Sequence, residues 1–187
     1  MALKVCTVGA GYFAQFHHDG WARHDGVSLA AVCDSNEGAA RATAEKHGIP
    51  ATYADLEAML EAEKPDLLDI VTPPPTHFRF ITTAIERKVR CVMCQKPFCE
   101  TLELAEQAVE LAEAAGLVLV VHENFRWQPW HIHARHIIDQ GTLGQMYQIT
   151  FRLRPGDGQG PDAYLLREMI LLRTGRLGIG SLHSFEC

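Results

Sequence analysis

Short apolar runs alternate along the chain with longer stretches whose apolar positions recur at helical spacing. The runs predict buried strands over residues 3–8, 27–33, 66–71, 89–94 and 117–121, with a brief extended piece at Thr52-Tyr53. Helices are predicted over residues 13–23, 37–47, 55–63, 77–88 and 101–115. This alternation is typical of parallel βαβ units. It predicts an α/β fold, a doubly wound Rossmann sheet with strand order 3-2-1-4-5-6.

The first apolar run ends in a glycine-rich turn. Gly9, Gly11 and Ala14 follow G-x-G-x-x-A spacing, and Tyr12 and Phe13 lie between them. The first glycine permits a tight turn, the second lets backbone approach a pyrophosphate, and a small third residue lets the helix pack on its strand. The free N–H groups of the helix start would bind the anion. These five residues are predicted to contact a dinucleotide.

The second apolar run ends at Asp34, where a carboxylate would bind the hydroxyls of the adenosine ribose. A carboxylate also repels the 2′-phosphate of NADP. No arginine stands in Asp34-Ser35-Asn36, and the nearest downstream, Arg41, is expected on the following helix. The sequence therefore favours NAD over NADP.

Composition limits the class of protein. The chain has 187 residues, of which 47% are hydrophobic and 21% charged, and its formal net charge is −6. This balance predicts a globular protein and argues against a nucleic-acid partner, whose phosphates would require a basic face. No apolar run is long enough to span a bilayer and no export signal is visible, so no membrane partner and a cytoplasmic location are predicted.

Cysteine and histidine positions suggest metal or redox chemistry only superficially. Of the six cysteines, Cys6, Cys33 and Cys91 are predicted in buried strands as reduced thiols. Cys91 and Cys94 have C-x-x-C spacing, but residues three apart on a strand face opposite sides.

The histidines also fit a structural interpretation. On the helix expected after Pro129, His131 and His133 diverge, so these two and His136 cannot converge on one ion. His17-His18 is interpreted as structural as well. No metal site is predicted.

Three loops follow strands on the same edge as the glycine turn, at residues 72–77, 95–97 and 122–124, and are predicted to surround one cleft. Thr72-Pro73, Cys94-Gln95-Lys96-Pro97 and the segment 124–129, Asn-Phe-Arg-Trp-Gln-Pro, resemble successive motifs of the glucose-fructose oxidoreductase, inositol dehydrogenase and rhizopine catabolism (Gfo/Idh/MocA) family. The turn at residues 141–144 also matches that family.

The resemblance implies hydride transfer between a nicotinamide cofactor and a secondary alcohol of a sugar, polyol or related compound. It implies that Lys96 orients the substrate and assists its proton transfer. Gln95 stands where the family has Glu, so the charge that could hold Lys96 protonated is lost. Further predicted cofactor contacts are Thr72, Pro73, His77, Gln95, Lys96 and Asn124.

Each of these residues also has a plainer interpretation. Lys96 could be only a solvated residue at the end of a strand, before a proline that cannot continue the ladder. His77 could be only the first residue of a helix, and Asn124 an ordinary polar residue at a domain junction. Arg126 is less favoured than Asn124 as a contact.

The resemblance runs to about Tyr164 and then fails. Residues 165–175 predict a short helix, and a glycine-rich end follows. Neither segment resembles the motif with Asp and His whose His, in the family, acts as the acid or base during hydride transfer. We therefore predict a NAD(P)-binding domain over residues 1–122 and, over residues 123–187, the start of an incomplete α+β substrate and oligomerisation domain, with a strand at 145–154. Its uncovered apolar face predicts a homo-oligomer.

Two other functions remain open from the sequence. The chain could be a catalytically incompetent dinucleotide-binding module or a truncated gene product. A purely structural protein would require the glycine turn and Asp34 to be accidental.

Overall fold

The computed structural model describes residues 2–150 and confirms the predicted Rossmann sheet. All six strands run parallel in the order β3-β2-β1-β4-β5-β6. They are β1 (Leu3–Val8), β2 (Val27–Cys33), β3 (Ala51–Tyr53), β4 (Leu67–Ile70), β5 (Cys91–Gln95) and β6 (Val118–His122). The helices are α1 (Ala14–Ala22), α2 (Glu37–His47), α3 (Leu56–Glu63), α4 (His77–Glu86), α5 (Leu102–Ala115) and α6 (Pro129–Asp139), with short 3₁₀ turns at Pro74–Thr76 and Asn124–Trp127.

Local sequence signals explain where the helices begin and end. The side chains of Asn36, Asp55 and Thr101 each accept a hydrogen bond from a backbone N–H in the first turn of α2, α3 and α5. Helices α2 and α5 end at Gly48 and Gly116, which adopt left-handed backbone conformations. The helix ends follow from residue type at these positions.

The core lies between the central strands and the helices. Cys6 and Cys33 are buried in it, and burial raises the pKa of both thiols to about 12, so they remain protonated. Cys91, predicted to be buried, is instead partly exposed. On the β6 side its register partner is Val118, which is 59% exposed, so this edge of the sheet is incompletely covered.

One element predicted in the second part of the chain is absent from its described residues. A first compact unit comprises Met1–His136, and a second unit begins at Ile137; the predicted boundary after residue 122 stays a prediction. The strand predicted over residues 145–154 was wrong for residues 145–150, which form no strand. A strand needs a paired neighbour, and no described strand pairs with these residues. Residues 151–154 and the predicted helix at 165–175 lie outside the described residues.

Among the described residues, no helix is long and apolar enough to cross a membrane.

His18 on α1 provides a pH-dependent test of the fold. The fully buried ring contacts Thr7 Oγ1 through Nε2 at 2.9 Å, and burial, with the nearby His47, lowers its pKa to about 4 from 6.5. As pH falls, the unfolded chain is protonated first, so this contribution to stability is complete above about pH 7 and is lost between about pH 6.5 and 4. We expect roughly 2–3 kcal/mol of unfolding free energy to be lost by pH 4.5.

Urea unfolding at pH 7.5 and 4.5 measures this loss. His18→Gln keeps a polar partner for Thr7 but does not titrate, so its acid-induced loss should be smaller by that amount. An identical loss in both proteins would contradict the assignment.

Candidate dinucleotide site

The glycine turn connects β1 to α1. Gly9 has a φ of +110°, and a Cβ there would lie 2.2 Å from the carbonyl oxygen of Val71, so the position requires glycine. A Cβ on Gly11 would meet nothing within 4 Å, which leaves the open approach that a pyrophosphate needs. Ala14 is buried at the helix start, and the first turn of α1 has no side-chain cap. The N–H groups of Ala14 and Phe16 donate to backbone carbonyl oxygens, so an anion would bind the other N–H groups of this turn.

Asp34 ties the glycine turn to the loop after β2. Its Oδ2 accepts the N–H of Ala10 at 2.7 Å, and its Oδ1 accepts the N–H of Asn36 at 2.8 Å. These two bonds fix the orientation of a half-buried carboxylate beside Gly9. Each oxygen keeps a further lone pair for a hydroxyl donor.

A cavity of about 420 Å³ joins several of the predicted contacts. It is lined by Gly9, Asp34, Ser35, Thr72, Pro73 and Arg79, among others. The turn, the acid and the exit of β4 therefore lie around one space, but of the three loops predicted to surround one cleft, only the loop at residues 72–77 lines this cavity. Tyr12 lies outside this lining, 55% exposed, with its ring against Phe16.

Arg79 is a charged residue of this cavity that sequence reasoning missed. It lies on α4, far along the chain from Asp34, and its guanidinium is 4.9 Å from the centroid of the Phe80 ring. A search near Asp34 in the sequence could not find it, because only the packing of α4 brings the cation to the cavity. The residues next to Asp34 in the sequence therefore do not include every cation that lines its cavity.

His77 occupies a different place from the cavity. The ring is fully buried, with Nε2 2.7 Å from the carbonyl oxygen of Thr72. Nδ1 lies 3.1 Å and 3.0 Å from the carbonyl oxygens of Pro97 and Phe98. His77 therefore links the loop after β4 to the segment after β5 and lines neither of the two cavities described here.

Lys96 lies exposed at the end of β5, and its Nζ is 5.9 Å from the centroid of the Phe13 ring. Its backbone N–H donates to Oε1 of Gln95 at 2.8 Å. The Gln95 side chain is buried and its Nε2 contacts His17 and His122 at 2.8 Å and 3.2 Å. Gln95 therefore lies behind the lysine and fixes its backbone.

A second cavity, of about 560 Å³, lies beside α1 and the ends of β5 and β6. Its lining includes Phe13, His17, Trp21, Met93, His122 and Asn124. The structure thus brings Phe13 and Asn124 together and adds His17 and His122, which the sequence analysis had not selected.

In the described part of the chain, no three His, Cys, Asp or Glu side chains are grouped so that they could hold a metal ion.

Comparisons with known proteins agree with this geometry. The family described as "Oxidoreductase family, NAD-binding Rossmann fold" (GFO_IDH_MocA) matches residues 3–123. D-apiose dehydrogenase of Paraburkholderia graminis is 37% identical over 152 residues, which cover 80% of this chain and 40% of the relative. D-glucoside 3-dehydrogenase of Escherichia coli is 34% identical over 151 residues, covering 80% and 43%.

A solved structure shares the architecture. An oxidoreductase from Agrobacterium radiobacter, in complex with NAD⁺, L-tartaric acid and magnesium, has a TM-score of 0.75 and 32% identity over 78% of this chain and 42% of that one. The chain spans less than half the length of these relatives. The family match over residues 3–123, together with the glycine turn after β1, shows that the chain belongs to the Gfo/Idh/MocA family of oxidoreductases with an NAD-binding Rossmann fold.

Proposed function

We propose that this chain binds NAD across the carboxyl edge of its sheet and serves hydride transfer between nicotinamide and a secondary alcohol of a sugar or polyol. The observation that carries the proposal is the cavity in which Gly9, Asp34 and Thr72-Pro73 meet. The uncapped start of α1 and the open space at Gly11 fit the pyrophosphate, and the Asp34 carboxylate fits ribose hydroxyls.

The strand order supports a position for Lys96 on the nicotinamide side of the bound cofactor. Asp34 follows β2, the glycine turn follows β1 and Lys96 follows β5, so a dinucleotide lying across the edge directs its nicotinamide toward the lysine. NAD, when bound, accepts the hydride. Lys96, which is exposed, would hold the hydroxyl and relay its proton to solvent water, with Phe13 and Asn124 bordering the adjoining space. His77, which is buried, would position the loop rather than contact the cofactor.

The relatives direct the choice of substrates. Proteins similar to this chain are a D-apiose dehydrogenase and a D-glucoside 3-dehydrogenase, so we propose a sugar substrate. The test is NADH fluorescence titration of the purified chain, followed by NAD reduction with D-apiose, D-glucosides and inositols. NADH binding with turnover supports the proposal. Binding without turnover on any of them leaves a dinucleotide-binding module, and no binding overturns both functions.

Replacement of Asp34 tests the cofactor preference. Asp34→Ala should weaken NAD binding about 10-fold to 100-fold, because hydrogen bonds to a charged carboxylate are lost, and should weaken NADP binding less, because a repulsive charge is removed. Isothermal titration with both cofactors measures the ratio. Glu37→Gln is the matched control, since Glu37 is an exposed carboxylate on α2 paired with Arg41. Equal losses for both cofactors would contradict the ribose assignment.

We also propose a cytoplasmic protein that forms homo-oligomers. The assembly is supported by apolar side chains that are exposed after α6, among them Leu143, Tyr147 and Ile149, at 57%, 87% and 68% exposure. Sedimentation velocity at increasing concentration tests the assembly. A monomer at every concentration would refute it.

A further inference from the structure

A buried chain of polar side chains runs across the sheet behind Lys96. It begins at Asp69 on β4, which is fully buried, continues through His17 on α1 and Gln95 on β5, and ends at His122 on β6. A carboxylate without exposure needs donors around it. His17 and Trp21 supply them to Oδ2, at 2.8 Å and 2.7 Å, while Oδ1 has no partner among the described residues.

The donors on Asp69 fix the tautomer of His17. An indole N–H can only donate, so Oδ2 of Asp69 is an acceptor. The His17 Nδ1 therefore carries a hydrogen that it donates to Asp69, and its Nε2, which faces the amide nitrogen of Gln95, is left as an acceptor.

The orientation of the Gln95 amide follows from both of its ends. Its Oε1 accepts the backbone N–H of Lys96, so its Nε2 is the donor end. The amide nitrogen has two hydrogens, and two ring nitrogens lie within reach, Nε2 of His17 and Nδ1 of His122. One hydrogen goes to each, and a flipped amide would place a donor against the N–H of Lys96.

His122 is the half-buried end of this series of hydrogen-bonded side chains. Its Nδ1 accepts from Gln95, so the ring carries its hydrogen on Nε2. Burial, reinforced by the neighbouring His17, lowers the pKa of His122, which favours the neutral ring. The residue lines the second cavity with Phe13 and Asn124, beside the end of β5 at Gln95, which directly precedes Lys96.

We propose that His122 donates its Nε2–H to the carboxamide oxygen of nicotinamide, and that Asp69, His17 and Gln95 are positioning residues that hold this tautomer and the Lys96 backbone. The inference rests on the proposed function, since it needs NAD bound with its nicotinamide toward β5 and β6. It assigns a role to Gln95 that glutamate could not fill. A carboxylate has no hydrogen to give to either ring.

The tautomers can be tested without any ligand. Long-range ¹H–¹⁵N spectra of the histidine-labelled chain should show the hydrogen of His17 on Nδ1 and that of His122 on Nε2. Gln95→Met removes the donor with little change in side-chain length, and the tautomers of His122 should then mix. Hydrogen on Nδ1 of His122 in the unsubstituted protein would overturn the inference.

Ligand binding tests the donor itself, with NADH and ADP-ribose as probes. His122→Asn reaches only as far as Nδ1, whereas His122→Gln can place an N–H near the former Nε2. We expect His122→Asn to weaken NADH binding about 3-fold to 10-fold and to leave ADP-ribose, which lacks nicotinamide, within about twofold. His122→Gln should recover most of the NADH affinity.

His24→Gln is the matched control, because His24 lines the same cavity and is exposed. NADH affinity equal to that of this control in both His122 variants would overturn the inference, as would an equal loss of ADP-ribose. If the unsubstituted chain binds neither probe, the proposed function fails first, and the tautomer measurement still decides the hydrogen-bond chain.

Discussion

Gly9→Ala is expected to destabilise the fold by roughly 3–5 kcal/mol, since a Cβ in a positive-φ conformation adds backbone strain to a steric clash. The clash is with the carbonyl group of Val71, at 2.2 Å from oxygen and 2.7 Å from carbon. Because this neighbour is backbone at the exit of β4, it cannot rotate away as a side chain could. Urea unfolding at neutral pH measures the change.

Gly11→Ala is the matched control within the same turn. An added methyl group there meets nothing within 4 Å, so stability should stay within about 0.5 kcal/mol. If the pyrophosphate approaches this backbone, however, NADH binding should weaken at least about 10-fold. A Gly9→Ala protein as stable as the parent would refute the steric argument. Unchanged NADH affinity in Gly11→Ala would refute the close approach of the pyrophosphate to this backbone.

Lys96→Ala should lower the rate of sugar oxidation by about 10²-fold to 10⁴-fold, the range for loss of a positioned proton-transfer group. NADH affinity should change little, because the amine is expected to act on the substrate hydroxyl. Steady-state kinetics with the best sugar from the substrate screen, together with NADH titration, separates the two effects. Lys46→Ala removes an exposed lysine from α2 and serves as control.

Two results would remove the assigned role from Lys96. One is turnover within about twofold of the parent in Lys96→Ala, which would make Lys96 a solvent-exposed residue at the end of β5 with no role in the reaction. The other is a large loss of NADH affinity with an unchanged rate at saturation, which would make it a cofactor contact.

The limits of sequence reasoning are clearest at particular residues. Thr72-Pro73 and Asp34 could be predicted at one edge because carboxyl ends of parallel strands share it. His77 was predicted beside the cofactor, yet it is buried against three carbonyl oxygens. A histidine at a helix start has the same sequence signal in either role.

The sequence by itself determined the order of strands and helices, the glycine turn and the position of the acid, because apolar periodicity, backbone freedom and short-range spacing act along the chain. Only the tertiary structure decided that Arg79 faces the cavity of Asp34, and that Asp69, His17, Gln95 and His122 form one hydrogen-bonded chain. These groups come from different helices and strands. Their hydrogen-bond roles depend on burial and mutual distance, which packing of the whole sheet sets.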